Sequence, residues 1–184
     1  MADPIALWHD EHNYFRRLLG LLHSQVDVFH TGEQPNYELM LDIVSYLREY
    51  TDQVHHPRED VAYTRLARRR PDLSLVLERL KQEHRVIAHA GDTLRQLLQA
   101  VIGGAIVARA EVEMAAATYL VFYGNHIAKE EEDVLSRAAQ SLADEDWDDV
   151  RRAVPAQNDP LTHDRTDARY RELRKQIALE VSVG

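Results

Sequence analysis

The chain of 184 residues contains no cysteine, which excludes disulfides, iron–sulfur clusters, zinc knuckles and a thiol nucleophile together. Glycine (7) and proline (6) are scarce, which disfavours a turn-rich β fold and suits long helices. No apolar run approaches the ~20 residues of a membrane span. The opening Met1-Ala2-Asp3-Pro4 has none of a signal peptide's charged and apolar regions, so a cytoplasmic protein without a membrane partner is expected. Cations are the minority, 22 Lys and Arg against 31 Asp and Glu, and the net charge of −9 argues against a nucleic-acid partner. What is plentiful is apolar material, 45% of residues, and histidine, 10 in all.

Three breaks, Thr31-Gly32-Glu33-Gln34-Pro35-Asn36, Arg70-Pro71-Asp72 and Ile102-Gly103-Gly104-Ala105, and a weaker one at Leu142-Ala143-Asp144, divide the chain. Between them lie segments over residues 5–30, 37–69, 72–101 and 106–141, each far longer than a strand. Apolar residues recur at helical spacing in each: Trp8, Phe15 and Leu22; Ile43, Leu47 and Leu66; Leu80, Ile87 and Leu94; Ala116, Tyr123 and Val134. Four amphipathic helices with short connections predict an all-α fold, an up-down-up-down antiparallel four-helix bundle over residues 1–141. Residues 142–184 form a C-terminal extension of extra helices. It has an acidic helix opening at Asp144-Glu145-Asp146, a linker from Pro155 to Pro160, and a helix from Thr166 to Val181. The stripe Tyr170, Leu173, Ile177 and Val181 is expected to pack on the bundle rather than form a dimer contact; a monomer and a homodimer both remain open.

Metal-binding residue types interrupt the apolar stripes. His12 stands between Trp8 and Phe15, His84 between Leu80 and Ile87, and the pairs His55/Glu59 and His126/Glu130 continue the stripes of the second and fourth helices. Residues i and i+4 differ by roughly 40° of rotation and one turn of rise, so both side chains of a pair reach one point. At ~1.5 Å per residue, His12 lies roughly 11 Å from the start of helix one, and His84 roughly 18 Å into helix three. The His55–Glu59 midpoint is then roughly 18 Å from the end of helix two, and the His126–Glu130 midpoint roughly 20 Å from the end of helix four. In an antiparallel bundle these levels coincide. A lone core histidine is most often a hydrogen-bonded core residue, and a lone His/Glu pair a surface coincidence. Two acids and four imidazoles at one core level are another matter, because buried carboxylates without partners cost several kcal/mol each. A cation resolves the conflict, and iron, manganese and zinc all accept such ligands.

These residues resemble the hemerythrin family, including its bacterial HHE cation-binding members. The resemblance rests on Glu11-His12, His55-His56-Pro57-Arg58-Glu59-Asp60, Glu83-His84 and His126-Ile127-Ala128-Lys129-Glu130-Glu131, an ordered set spanning residues 8 to 135. It implies a non-haem di-iron site bridged by Glu59 and Glu130, with the histidines as terminal ligands and one iron open to O2 or a related small ligand.

Three departures stand out. Where the family has a second histidine in helix three, this chain has Ala88, and the next residue, His89, lies roughly 140° from His84 on a regular helix. His89 ligates only through a π-bulge. Glu131 is a further candidate beside Glu130, which the geometry favours. Pro57, between the helix-two ligands, removes a backbone hydrogen bond and predicts a kink. His9 and His56 point off the stripe, towards solvent or supporting roles, and His23, His30 and His163 read as surface residues. Tyr63, Tyr119 and Tyr123 line the core face one or two turns from the ligands. The resemblance implies binding of O2, NO or peroxide for sensing, storage or detoxification. A peroxide-decomposing or oxidase enzyme, and a metal- or oxygen-responsive regulatory module acting through a protein partner, are the alternatives. The His-rich, His-x-x-x-Glu character of the set favours ligand binding over ferritin-like oxidation.

Overall fold

The computed structural model describes residues 3–155, 157, 159, 161 and 170–183. His163 and the first residues of the expected final helix, Thr166 onward, lie outside the described residues, as does the side chain of Val181.

Among the described residues the chain is all helical. Helix α1 (Pro4–Val28) starts where the sequence puts a cap and a proline: Asp3 accepts a hydrogen bond from the Ile5 amide at 3.0 Å, and Pro4 fills a position that needs no amide donor. A turn with Gly32 at φ 80° leads to Asn36, whose side chain accepts from the Leu39 amide at 3.0 Å and caps α2 (Tyr37–Tyr46). The second rod continues without a break through a π-helical stretch, Leu47–His55, into α3 (His56–Arg69). Arg70-Pro71 ends it. Helix α4 (Ser74–Ile102) stops at Gly103 and at Gly104, φ 84°. The fourth rod is α5 (Arg109–Asp133), which starts three residues later than the periodicity predicts. It breaks at Val134 before the short α6 (Leu135–Ser141).

The kink expected at Pro57 takes another form. The His56 amide donates to the Thr51 carbonyl, five residues back, and Pro57 falls in the first turn of the α-helix that resumes there, a position that accommodates its fixed φ. The lost donor is thus absorbed by a wider turn.

The rods close into a ring, α1 packing on the second rod and on α5, and α4 on the second rod and on α5. Two apolar clusters fill it. One gathers Phe15, Leu22, Ile43, Leu94 and Tyr119; the other gathers Trp8, Leu66, Leu77, Leu80 and Val134. Between them lies a polar slab.

Helix α7 (Asp144–Ala153) docks on α3, with Arg69 2.6 Å from Asp146, Arg65 2.5 Å from Asp149, and the Trp147 ring 5.3 Å from that of Trp8. Helix α8 (Arg171–Val183) lies on α2: Tyr170 and Leu173 are fully buried, and the Tyr170 hydroxyl donates to Glu49 at 2.9 Å.

Candidate metal centre

The slab consists of His12, His55, His56, Glu59, His84, His126 and Glu130, all buried, with Glu59 at 0% and Glu130 at 1% exposure. All but His56 lie where a stripe would otherwise place an apolar side chain between the two clusters. The ligand atoms fall into two groups, within each of which all lie within 4.8 Å of one another: His56, Glu59, His84 and His126 in one, and His12, His55 and Glu59 in the other. Glu59 belongs to both. Its Oε1 is 3.0 Å from His55 Nε2 and 3.4 Å from His12 Nε2, while its Oε2 is 3.4 Å from His84 Nε2. Glu130 spans the groups as well, Oε2 at 3.4 Å from His12 Nε2 and Oε1 at 3.0 Å from His126 Nε2. The Tyr63 hydroxyl donates to Glu130 Oε1.

Apart from the Tyr63 bond, the approaches of Glu59, His84 and His126 are close but misaligned for hydrogen bonding. Both oxygens of Glu59, His84 Nε2 and His126 Nε2 are buried without a hydrogen-bond partner, because they aim at shared points rather than at one another. Lone pairs converging on two points, in a space closed to water, fit cations better than they fit each other.

The outer face of the slab explains the convergence. Glu11 of α1 accepts from His55 Nδ1 at 2.7 Å, and Asp60 of α3 from His84 Nδ1 at 2.9 Å. Glu83 of α4 accepts from His126 Nδ1 at 3.2 Å, and Glu131 of α5 from His12 Nδ1 at 2.9 Å. Each rod therefore lends a carboxylate to the histidine of the next, and the four links close a belt around the bundle. Every accepting carboxylate is the chain neighbour of an inner residue, and on a helix a neighbour points about 100° away, towards the adjoining rod. A ring nitrogen that donates outward leaves the other nitrogen facing inward, where it offers a lone pair to a metal that displaces its proton.

Electrostatics follow the same division. Burial opposes protonation of His55, but Glu59 and Glu11 outweigh it and hold the ring up at about 10. Burial is likewise outweighed at His84, by Asp60, Glu130 and Glu59, to about 11, and at His126, by Glu130 and Glu83, to about 9. Burial and the neighbouring Glu59 push Glu130 up, yet His126 and His84 bring it down to about 2. Glu59, which burial also pushes up, is held well below its ordinary range by His55, His12 and His84. His56 differs: burial, together with the like charges of His84, His126 and His55, drives it well below its usual value, so its imidazole is neutral. The carboxylates demand positive charge at the centre of the bundle, supplied by protons or by metal.

The residues singled out in the sequence are placed as follows. His12, His55, Glu59, His84, His126 and Glu130 meet in the slab. Glu131 lies one layer out, on His12, and His9 is 2.5 Å beyond it. His89 is exposed on a regular stretch of α4, away from the slab. The π distortion that would have brought it in occurs on the second rod instead. There it sends His56, expected to face solvent or play a supporting role, into the core at 4% exposure, stacked on His84 with ring centroids 4.1 Å apart. Tyr63 reaches the slab, the Tyr123 ring is 5.9 Å from that of His56, and Tyr119 packs a turn away on Tyr123. His23 and His30 are exposed, each beside an acid.

A helical bundle with imidazoles and carboxylates projecting from all four rods into one layer is a bundle-core metal-binding protein. A family model, the hemerythrin HHE cation binding domain, matches residues 3–138. The chain belongs to that family. No curated protein matches it. No helix among the described residues is long and apolar enough to cross a membrane.

Proposed function

We propose that the slab holds two iron ions, bridged by Glu59 and Glu130, and that the protein binds O2 or a related small ligand such as NO or peroxide. The observation that carries this reading is the sharing of Glu59 between two groups of ligand atoms, one with His12 and His55 and one with His56, His84 and His126. A single ion would leave one group of inward lone pairs without a partner. A bound iron pair would supply reversible electron exchange with the small ligand. The half with two imidazoles has fewer protein donors, and hence the coordination position for an exogenous ligand. Its walls are apolar: the Phe15 ring stands edge-on to His55 at 5.0 Å, and Trp8 lies 6.2 Å away. Such walls admit a small uncharged molecule and exclude bulk water. Of the extension beyond residues 1–141, α7 packs on α3 and against Trp8 and α8 lies on α2, so its described helices brace the bundle at two places.

Metal analysis of protein produced with iron is expected to return two ions per chain. Anaerobically reduced protein exposed to O2 is expected to change its optical spectrum and to recover it on O2 removal. A spectrum that fails to recover overturns reversible binding, and oxygen release from added peroxide, lost in Glu59→Ala, would assign turnover instead. Zinc or manganese as the resident ion would overturn the iron assignment alone.

A further inference from the structure

Four of the five inner histidines are tied by a hydrogen bond to a carboxylate on the next rod. His56 is outside that belt. The acid beside its Nδ1 is Asp52, on the same rod, 2.9 Å away and off hydrogen-bond alignment. What ties this pair to a neighbouring rod is Arg48. Its Nη1 pairs with Asp52, while its Nε and Nη2 donate to Asp92 Oδ1 and Oδ2 of α4 at 3.1 and 2.9 Å. The guanidinium is a rigid fork, and here its prongs join two carboxylates on two rods. To reach Asp92 the arginine stem crosses α4 at Gly91. A Cβ on that residue would stand 2.6 Å from Arg48 Cδ and 3.0 Å from Tyr119 Cε2. Glycine is a poor residue for a helix interior on propensity alone; Gly91 is buried and a Cβ there would meet the arginine stem, so the crossing accounts for it.

We propose that Arg48, passing Gly91 and joined to Asp52 and Asp92, is the positioning residue for His56: it holds Asp52 against Nδ1 and so aims Nε2 into the centre. The inference rests on the reading of His56 as a metal ligand. The Arg48 link gives a histidine one position off the regular stripe a tie to a neighbouring rod that the belt does not provide. It also separates the two halves of the centre, since Arg48 acts on the three-imidazole half only.

The test is an anaerobic Fe(II) titration of the full metal-free chain, with ions per chain, the two dissociation constants and the melting temperature of the metal-free form as readouts. Arg48→Met and Gly91→Ala are expected to weaken one ion by about tenfold, the size of effect that supporting groups have on metal sites, and to leave the other unchanged. Arg48→Lys, which keeps the charge but not the fork, should fall between wild type and Arg48→Met. In a His56→Ala background, Arg48→Met should add nothing, because the residue it acts through is gone. Equal weakening of both ions, or the same loss with and without His56, would make Arg48 merely structural and overturn the proposal. So would wild-type binding in both Arg48→Met and Gly91→Ala. If Arg48→Met fails to fold, Gly91→Ala, which keeps every charge, decides. A wild-type chain that binds fewer than two ions, or a His56→Ala chain that still binds two with unchanged affinity, removes the underlying reading as well; failure confined to the Arg48 and Gly91 variants removes the positioning role alone.

Discussion

The two halves of the metal centre share their carboxylates and differ in nearly everything else. One is sparse: two imidazoles, His12 and His55, whose Nε2 atoms lie 3.0 Å apart, walled by Phe15 and Trp8. The other is crowded: His56 lies flat on His84, His126 meets His84 edge-on at 4.7 Å, and the Tyr63 hydroxyl closes on Glu130. In the first, apolar rings take up space that further ligands would otherwise fill. In the second, ring stacks on ring, and a neutral His56 sits among neighbours that burial fails to neutralise. On the proposed two-iron reading, the crowded half would hold its ion firmly and the sparse half would leave its ion open to a small ligand. The difference lies in which residue types flank a shared pair of acids.

The strongest way to break the comparison is to remove what the halves share. Glu59→Gln keeps the shape but loses the charge, and it should abolish binding of both ions, a loss of more than about 100-fold by metal analysis, since it exceeds what supporting groups account for. Removing one half at a time comes next. His12→Ala and His56→Ala should each lower iron from two ions per chain towards one, with distinct optical spectra; identical residual spectra would mean that the halves are not separate sites.

A graded effect comes from pH. In the metal-free protein His55, His84 and His126 are held up at about 10, 11 and 9, above their unfolded values. Their contribution to stability is therefore fully present below about pH 6.5. It disappears as pH rises through 9 to 11, and the melting temperature of the metal-free form should fall over that interval. Metal must displace those protons, so affinity should rise with pH by about tenfold per unit for each proton released. A metal-free protein that gains stability between pH 8 and 11 would contradict the charge assignment. The smallest effect is expected at His89. His89→Ala should leave both ions in place with affinities unchanged, and a lost ion would return that residue to the centre.

Much of this was legible in the sequence, because periodicity and helix level are properties of one rod at a time. Asn36, Arg70-Pro71 and Gly103-Gly104 marked their breaks, and the level of His12, His84 and the two i,i+4 pairs could be counted along each rod. What could not be counted was phase. His56 lies off the stripe of a regular helix, and only the nine-residue π-helical stretch before it, Leu47–His55, turns it inward. Proline at 57 was the available sign, and it suggested a kink rather than a wider turn. The belt was hidden for a different reason. Glu11, Asp60 and Glu83 stand in the sequence motifs without a role of their own and Glu131 reads as a candidate ligand, because the partners of all four are on other rods. An acid adjacent in sequence to an inner residue, repeated on all four helices, was the signal available.

The closed belt has a mechanical consequence. Each rod both gives a carboxylate and receives one, so no rod can turn about its own axis without straining a link on either side. A one-residue slip swings a side chain by about 100°, enough to pull both of a rod's links open at once. The four helices therefore share a single rotational setting, fixed from the outside before any ion arrives. An insertion of one residue within any of the linked turns would be felt by all the rods rather than by its own alone.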